Sequence, residues 1–426
     1  MEKKVWLISV NMGYGHQRTA FALRDLAFGG KNINANDYEG IPENDRNVWE
    51  FTRKSYEAIS DFKRFPLLGN AFFSLMDYFQ RILSFYPKRD LSKPNTQLKQ
   101  IFSQIKKGWG RHLIERLKEN PLPIISTFFT PAFMAEYFDY PGEIFCVVCD
   151  ADVSRTWASL NPKESKIKYF APTERVVERL KLYGVKPENI FFTGYPLPLE
   201  NIGSRDMEIL KEDLKFRLLN LDPKKRYFNK YKTLIEENLG KLPEESDHPL
   251  TIMFSVGGAG AQKEIGLKIF KKLSEKIKNG KIKLILSAGI RKRVKDYFES
   301  EISKGMFPVN SNAEILFGEN IKEYFQKFNL ALRKTDILWT KPSELSFYAA
   351  LALPIIIAPT IGSQEEFNMR WLLKSGLGEL QENPNYINQW MPDWLDNGYL
   401  AECAMEGFIE GEKFGVENIK KIVCGY

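Results

Sequence analysis

The sequence predicts an α/β protein made of two tandem domains, each built around a mostly parallel sheet. Two observations carry this. A strand, a glycine turn and a helix follow one another near the N-terminus and again after Pro249. Behind each unit, short apolar runs alternate with helical patterns, the arrangement of buried parallel strands covered by helices. The chain has 426 residues, long enough for two or three domains of ordinary size (about 150 residues each).

The first unit is Val5–Val10, an apolar strand, then Gly13 and Gly15, then a helical pattern from about Gln17 to Leu26. Further strands are expected at Pro123–Phe128, Ile144–Cys149, Ile167–Ala171 and Ile190–Thr193, with a helix at Glu174–Leu182. Residues 206–249 are dense in Lys, Glu and Asp and poor in apolar residues. They read as a charged linker or excursion with surface helices, between a first domain, residues 1–205, and a second, residues 250–426. The second domain restarts with Thr251–Val256, a turn at Gly257–Gln262 and a helix to about Ile277. The runs KLILSA, DILWT and PIIIA follow as strands, and a helix starts near Gln364. A helical final segment, Leu400–Tyr426, is expected to cross back.

Composition narrows the classes. Lys plus Arg exceed Asp plus Glu by 61 − 54, a net +7, with 43% hydrophobic and 27% charged residues. This is globular composition, and the modest excess admits anionic partners without requiring nucleic acid. Four cysteines do not make a disulfide framework. Cys146 and Cys149 spell C-x-x-C, but residues three apart on a strand point to opposite faces, which argues against zinc or redox chemistry. No signal peptide or spanning helix is expected, so the protein reads as cytoplasmic, with any membrane contact peripheral.

Four segments can carry chemistry. Gly13-Tyr14-Gly15-His16 lies at the carboxyl end of a strand, where open α/β sheets bind ligands, and the helix N-terminus favours the neutral imidazole that a base requires. Gly257-Gly258-Ala259-Gly260 can cradle a phosphate on backbone N–H groups, although it is neither G-x-G-x-x-G nor a Walker A loop. Lys341-Pro342-Ser343-Glu344 and Gln364-Glu365-Glu366-Phe367-Asn368 each sit where a strand gives way to a helix. Ser343 also suits a helix cap.

In order and spacing these segments resemble the GT-B glycosyltransferases that include the monogalactosyldiacylglycerol synthases and the peptidoglycan N-acetylglucosaminyltransferase. The resemblance runs from about Val5 to Gly378. Gly13-Tyr14-Gly15-His16 matches the family's opening G-G-G-H turn, and Val147-Val148-Cys149-Asp150 its V-V-x-D strand. Trp157 follows, with Arg155 where the family has histidine. Gly194-Tyr195-Pro196 matches G-x-P, Gly257–Gly260 the second glycine turn, and Lys341-Pro342 and Gln364–Asn368 the last two motifs. K-P-G-G has become Lys341-Pro342-Ser343-Glu344, and the acid held to bind the donor ribose falls on Ala349 or Ala350. Glu344 or Glu365 is the substitute for that contact.

The resemblance implies two Rossmann-like domains facing a central cleft, acceptor in the first and nucleotide-sugar donor, UDP-linked, in the second. It implies an inverting hexosyl transfer needing no cofactor and no metal. His16 or Asp150 is then the base. Gly257, Gly258, Gly260, Lys341, Ser343, Glu344, Gln364, Glu365 and Asn368 bind the donor, and Gly13, Gly15 and Arg155 serve the acceptor or phosphate side. Two alternatives stay open: a GT-B nucleotide-sugar epimerase or hydrolase, and a catalytically silent membrane-associated binding protein, which the missing ribose acid favours. Phe65–Arg89 mixes aromatics with flanking Lys63, Arg64, Lys88 and Arg89. That is the composition of an interfacial segment, with Phe72, Phe73, Tyr78, Phe79 and Phe85 expected to face outward toward an anionic membrane and a lipid acceptor.

Overall fold

The computed structural model describes residues 3–62, 82–258, 260–304 and 312–425. Most of Phe65–Arg89, including Phe72, Phe73, Tyr78 and Phe79, and also Ala259, lie outside the described residues. The chain forms two units. One comprises Met1–Leu197, Ile361–Asn368 and Phe414–Tyr426, the other Pro198–Thr360 and Met369–Lys413.

The first unit holds a six-stranded sheet: β1 (Val5–Ser9), β2 (Ala27–Asn34), β3 (Ile124–Ser126), β4 (Ile144–Val147), β5 (Lys168–Ala171) and β6 (Ile190–Phe192), in the order β2-β1-β3-β4-β5-β6. Every neighbouring pair is parallel. The central strands are fully buried, as the continuous apolar runs require. Against them pack helices whose apolar side chains (Leu98, Phe102, Ile105, Leu113, Ile114, Phe133) join the strands in one core. The last helix, Gly415–Cys424, belongs here too. Gly415 sits against the Tyr195 carbonyl, where a Cβ has no room, and Asn418 donates to the Thr193 carbonyl at 2.9 Å.

The second unit repeats the plan with β7 (Leu250–Ser255), β8 (Ile282–Gly289), β9 (Ala313–Phe317), β10 (Ile337–Thr340), β11 (Ile355–Ile357) and β12 (Gly378–Leu380), in the order β12-β11-β10-β7-β8-β9, again all parallel. Residues 206–249 are not a linker. The expected helices form, at Glu208–Leu221 and Arg226–Leu239, but within this unit, and three of the charges, Asp213, Arg217 and Asp222, turn inward. Leu210, Leu214, Leu218 and Leu221 are buried beside Asp213 and Arg217.

Arg217 does most to tie this unit. Its guanidinium, fully buried, donates to the carbonyls of Thr335 (2.9 Å), Leu351 (2.8 Å), Ala352 (2.9 Å) and Leu332 (3.3 Å). These carbonyls lie at and just beyond the ends of helix Ile321–Leu332 and of the 3-10 turn Glu344–Leu351, where the regular ladder runs out; that of Leu332 also accepts from Thr335 N at 3.1 Å. Arg217→Ala therefore strands several buried acceptors at ~1–3 kcal/mol each. We expect a loss of roughly 3–5 kcal/mol in urea unfolding, with Arg217→Lys recovering only part of it.

The same end of the sheet carries a charged chain. Buried Asp336 accepts from Thr251 N (2.7 Å) and Asn220 Nδ2 (3.0 Å) and meets His248 Nε2 at 3.2 Å, while His248 Nδ1 meets Asp247 at 2.5 Å and Asp247 pairs with Lys334. Burial opposes charge on His248, but the two carboxylates outweigh it and raise its pKa above the usual imidazole value. A raised pKa in the folded state means stability that is full below the unfolded pKa and lost as pH rises through the folded one. His248→Gln should thus cost more stability at pH 5.5 than at pH 9, read from thermal melts at both.

Candidate functional site

In parallel sheets every strand ends at the same rim, so the sequence-predicted residues gather there unit by unit. In the first unit, helix Tyr14–Ala22 begins three residues earlier than the sequence pattern suggests. Gly13 is its N-cap, at φ +96°, a conformation open to glycine. Gly15 and His16 lie in its first turn. His16 Nδ1 donates to the Thr127 carbonyl at 2.7 Å, and Thr127 Oγ1 donates back to the His16 carbonyl at 2.9 Å. A neutral imidazole so held carries its proton on Nδ1 and presents Nε2 as the acceptor. Phe128 meets the ring edge-on at 4.8 Å, with Trp157 at 6.4 Å.

Thr127 follows β3, and Cys149 and Asp150 follow the adjacent β4. Cys149 Sγ reaches the Thr127 carbonyl (3.5 Å) and Thr19 Oγ1 (3.3 Å), and Thr19 also bonds Tyr195 OH (2.9 Å) and the Gly15 carbonyl (2.9 Å). Both cysteines of the C-x-x-C are buried, and burial pushes the Cys146 thiol well up.

The loop after β4 is held residue by residue. Asn368 donates to Asp150 Oδ1 (3.0 Å) and accepts from Ala151 N (2.7 Å). Thr173 Oγ1 donates to the Ala151 carbonyl (3.0 Å). Arg179 forks onto Asp152 with two 2.8 Å bonds, and Tyr183 OH donates to the Val153 carbonyl (2.8 Å). Asp150 is thus fixed in place while staying half-buried at the rim.

Several expected roles change. Arg155, read as an acceptor or phosphate cation, is 5% exposed and donates to the carbonyls of Ser92, Ala158 and Ser159 at 2.6–3.0 Å. Burial lowers its pKa, and its bonds make it a loop staple. Asn368, read as a donor ligand, is fully buried against Asp150 and Ala151, so both ends of its amide are engaged. Glu365 caps its own helix, Ser363–Lys374, by accepting from Ile361 N at 2.6 Å and Gly362 N at 3.4 Å. Gln364, half-buried in the same first turn, groups with Glu365 and Asn368 in the first unit. Glu365 and Asn368 are thus engaged by the chain's own groups, a change from the donor-binding role read for their side chains.

In the second unit, Gly257 and Lys341 do come together. A Cβ on Gly257 would stand 2.6 Å from Lys341 Cε, so the glycine lets the lysine lie across the turn. Gly260, at φ +74°, donates to the Gly257 carbonyl at 2.7 Å and closes the turn. Ser343 is the extended residue before the 3-10 turn that begins at Glu344, and Glu344 is 8% exposed. Arg291, which sequence reasoning missed, donates to the Gly258 carbonyl. The signal was its place just after β8, at the same rim. Ala349 and Ala350 are buried against helix Tyr399–Glu410. A Cβ at Gly411 would come 2.5 Å from Ala350 Cβ, and Gly407 sits against the Ala349 carbonyl. No group of three or more His, Cys, Asp or Glu side chains stands ready to hold a metal among the described residues.

Two six-stranded parallel sheets with flanking helices, each carrying a glycine turn at its carboxyl rim, define the GT-B class of Rossmann-like proteins, and the chain has that fold. Over 384 residues it is 22% identical to the processive diacylglycerol beta-glucosyltransferase of Bacillus subtilis (strain 168), covering 88% of this chain and 82% of that one. It aligns with MurG of Acinetobacter baumannii over 100% of both chains, at 12% identity and a TM-score of 0.50. It also aligns with a UDP-GlcNAc 2-epimerase from Neisseria meningitidis at 15% identity, 78% and 82% coverage and a TM-score of 0.46. Residues 242–314 match a family described as a domain of unknown function (DUF6938). The resemblance read from the motifs stands: the chain is similar to GT-B glycosyltransferases.

The Glu365 cap yields a direct expectation. Glu365→Ala removes the acceptor for two N-terminal amides. It should cost about 1 kcal/mol and speed hydrogen exchange at Ile361 and Gly362 above that of the rest of the helix.

Proposed function

We propose that this chain is an inverting glycosyltransferase that moves a hexosyl group from a UDP-linked donor to a hydroxyl of a lipid acceptor at the membrane surface. The observation that carries the reading is the setting of His16. Its Nδ1 is tied to the Thr127 carbonyl, so Nε2 accepts a proton, at a helix N-terminus behind a glycine turn.

In this reading the acceptor hydroxyl loses its proton to His16 Nε2 as its oxygen attacks the anomeric carbon. The bond from that carbon to the diphosphate oxygen breaks on the opposite face, and the electron pair leaves with the nucleotide. The growing negative charge falls to Lys341 and to the N–H groups of Gly257 and Gly258. Arg291, bonded to the Gly258 carbonyl, holds the turn in shape. Asp150, clamped by Asn368, supplies a fixed carboxylate near the acceptor. The mechanism uses no metal ion.

The lipid acceptor is supported by the name of the Bacillus subtilis relative, a diacylglycerol glucosyltransferase. It is also supported by the surface that follows the aromatic segment. Tyr86 is 68% exposed and Leu83 39%, beside exposed Lys88 and Arg89. Phe85 departs from the expected outward setting, being half-buried with the Arg175 guanidinium 3.9 Å over its ring. Among the described residues no helix is long and apolar enough to cross a membrane, which suits a peripheral attachment.

The test is transfer from UDP-[14C]glucose, or from UDP-N-acetylglucosamine, to diacylglycerol in anionic vesicles. His16→Ala should lower kcat by about 10²-fold or more while leaving UDP affinity unchanged. Wild-type turnover in that variant would remove His16 as the base. Release of free sugar or of an epimerised nucleotide, with no labelled lipid, would replace the transferase reading by a hydrolase or an epimerase.

A further inference from the structure

The turn after β7 in the second unit is held from both sides of the sheet. On the β8 side, Arg291 donates to the Gly258 carbonyl, and Gly260 packs so closely that a Cβ there would stand 2.8 Å from Val294 Cγ2 on helix Lys292–Lys304. On the other side the tie is Gln262, the residue before helix Lys263–Lys278, whose Nε2 donates to the Pro359 carbonyl at 2.6 Å. Pro359 lies two residues beyond β11, and the strand order places β10 between β7 and β11. The bond therefore joins the segments that leave the two strands flanking β10, and Lys341 is the first residue after β10. Thr340 is in register with Ser255 on one side and Ile357 on the other, so Gly257, Lys341 and Pro359 all lie just beyond one level of the sheet.

Gln262 makes this bond from a backbone that glutamine rarely adopts. It lies at φ +65° and ψ +16°, the left-handed region, where a residue with a Cβ is strained. Glycine would sit there without strain and asparagine with less of it. Neither would carry an amide to Pro359, since glycine has no side chain and that of asparagine is shorter. Nor does the side chain serve its own helix: it makes no capping bond to the amides that follow, and only the Gln262 carbonyl engages them, accepting from Ile265 N at 3.0 Å. A strained residue whose side chain reaches away from its own element points to a task at the rim.

We propose that Gln262 is a positioning residue for the donor: its amide straps the glycine turn to the segment after β11 and keeps the turn and Lys341 in the one arrangement that receives a nucleoside diphosphate. This rests on the reading of the second unit as the nucleotide-binding one. Lys341 lies across Gly257 at a place where a Cβ would push it away. A turn released from Pro359 gains other positions relative to that lysine, and each lowers the fraction of molecules ready to bind.

The experiment titrates the full chain with UDP calorimetrically, beside thermal melts and amide hydrogen exchange at Gly260, whose N–H bonds the Gly257 carbonyl at 2.7 Å. Two variants separate a strap from a support of the helix. Gln262→Met keeps the length of the side chain and removes the donor. Gln262→Gly removes the strap and also relieves the backbone strain, so it should melt no earlier than the wild type. Both should bind UDP about three- to tenfold more weakly, the range expected for one hydrogen bond, and both should exchange faster at Gly260 with unchanged melting temperatures. Wild-type affinity in either variant overturns the proposal. So does a loss of affinity that comes only with an early melt, because Gln262 then supports the helix and not the site. A wild type that binds no UDP overturns the donor reading of the second unit itself, and the strap with it.

Discussion

Parallel pairing is the constraint from which the rest of this structure follows. In both sheets each strand lies parallel to its neighbours, so every strand must be followed by a crossover, and every crossover starts at the same rim. Residues far apart in sequence then meet because their strands are neighbours. His16, Thr127 and Cys149 follow β1, β3 and β4, three adjacent strands, and the Thr127 carbonyl receives both the His16 ring and the Cys149 thiol. In the other unit β10 sits between β7 and β11, which brings Lys341 over Gly257.

Buried arginines convert that gathering into fixed geometry. Arg155, Arg179 and Arg217 are each enclosed, and each engages several acceptors at once. The planar fork suits this task, because one side chain satisfies carbonyls from segments that no helix or strand ladder reaches. Arg155 and Arg179 brace the loop carrying Asp150, and Arg217 braces the turn that follows Lys341. A loop so braced can hold a reacting group without being part of a regular element, which is what positions chemistry at a sheet rim.

The apolar runs made most strands readable, along with both glycine turns and the pairing of Gly257 with Lys341 at one rim. Strand β2 escaped because it is an exposed edge interrupted by two glycines, so neither a run nor an alternation marks it. β9 and β12 escaped because AEILF and GEL are short and carry charge. The side-chain roles were harder. A cation in a motif position looks the same in sequence whether it meets a ligand or a backbone carbonyl, and only burial separated Arg155 from the first case. Asn368 and Glu365 likewise sit in a readable motif, yet their bonds run to Asp150 and to Ile361. The charged stretch 206–249 reads as lying between domains because its average charge hides the buried Leu210, Leu214, Leu218 and Leu221 and three inward-turned residues, Asp213, Arg217 and Asp222.

The contact between the turn Glu344–Leu351 and helix Tyr399–Glu410 also limits how this protein can change over time. Gly407 and Gly411 lie so close to Ala349 and Ala350 that a Cβ at either glycine would run into the turn. A larger residue at 407 or 411 would first need the turn to move away. Substitution at either glycine is therefore closed off for as long as the turn keeps its place.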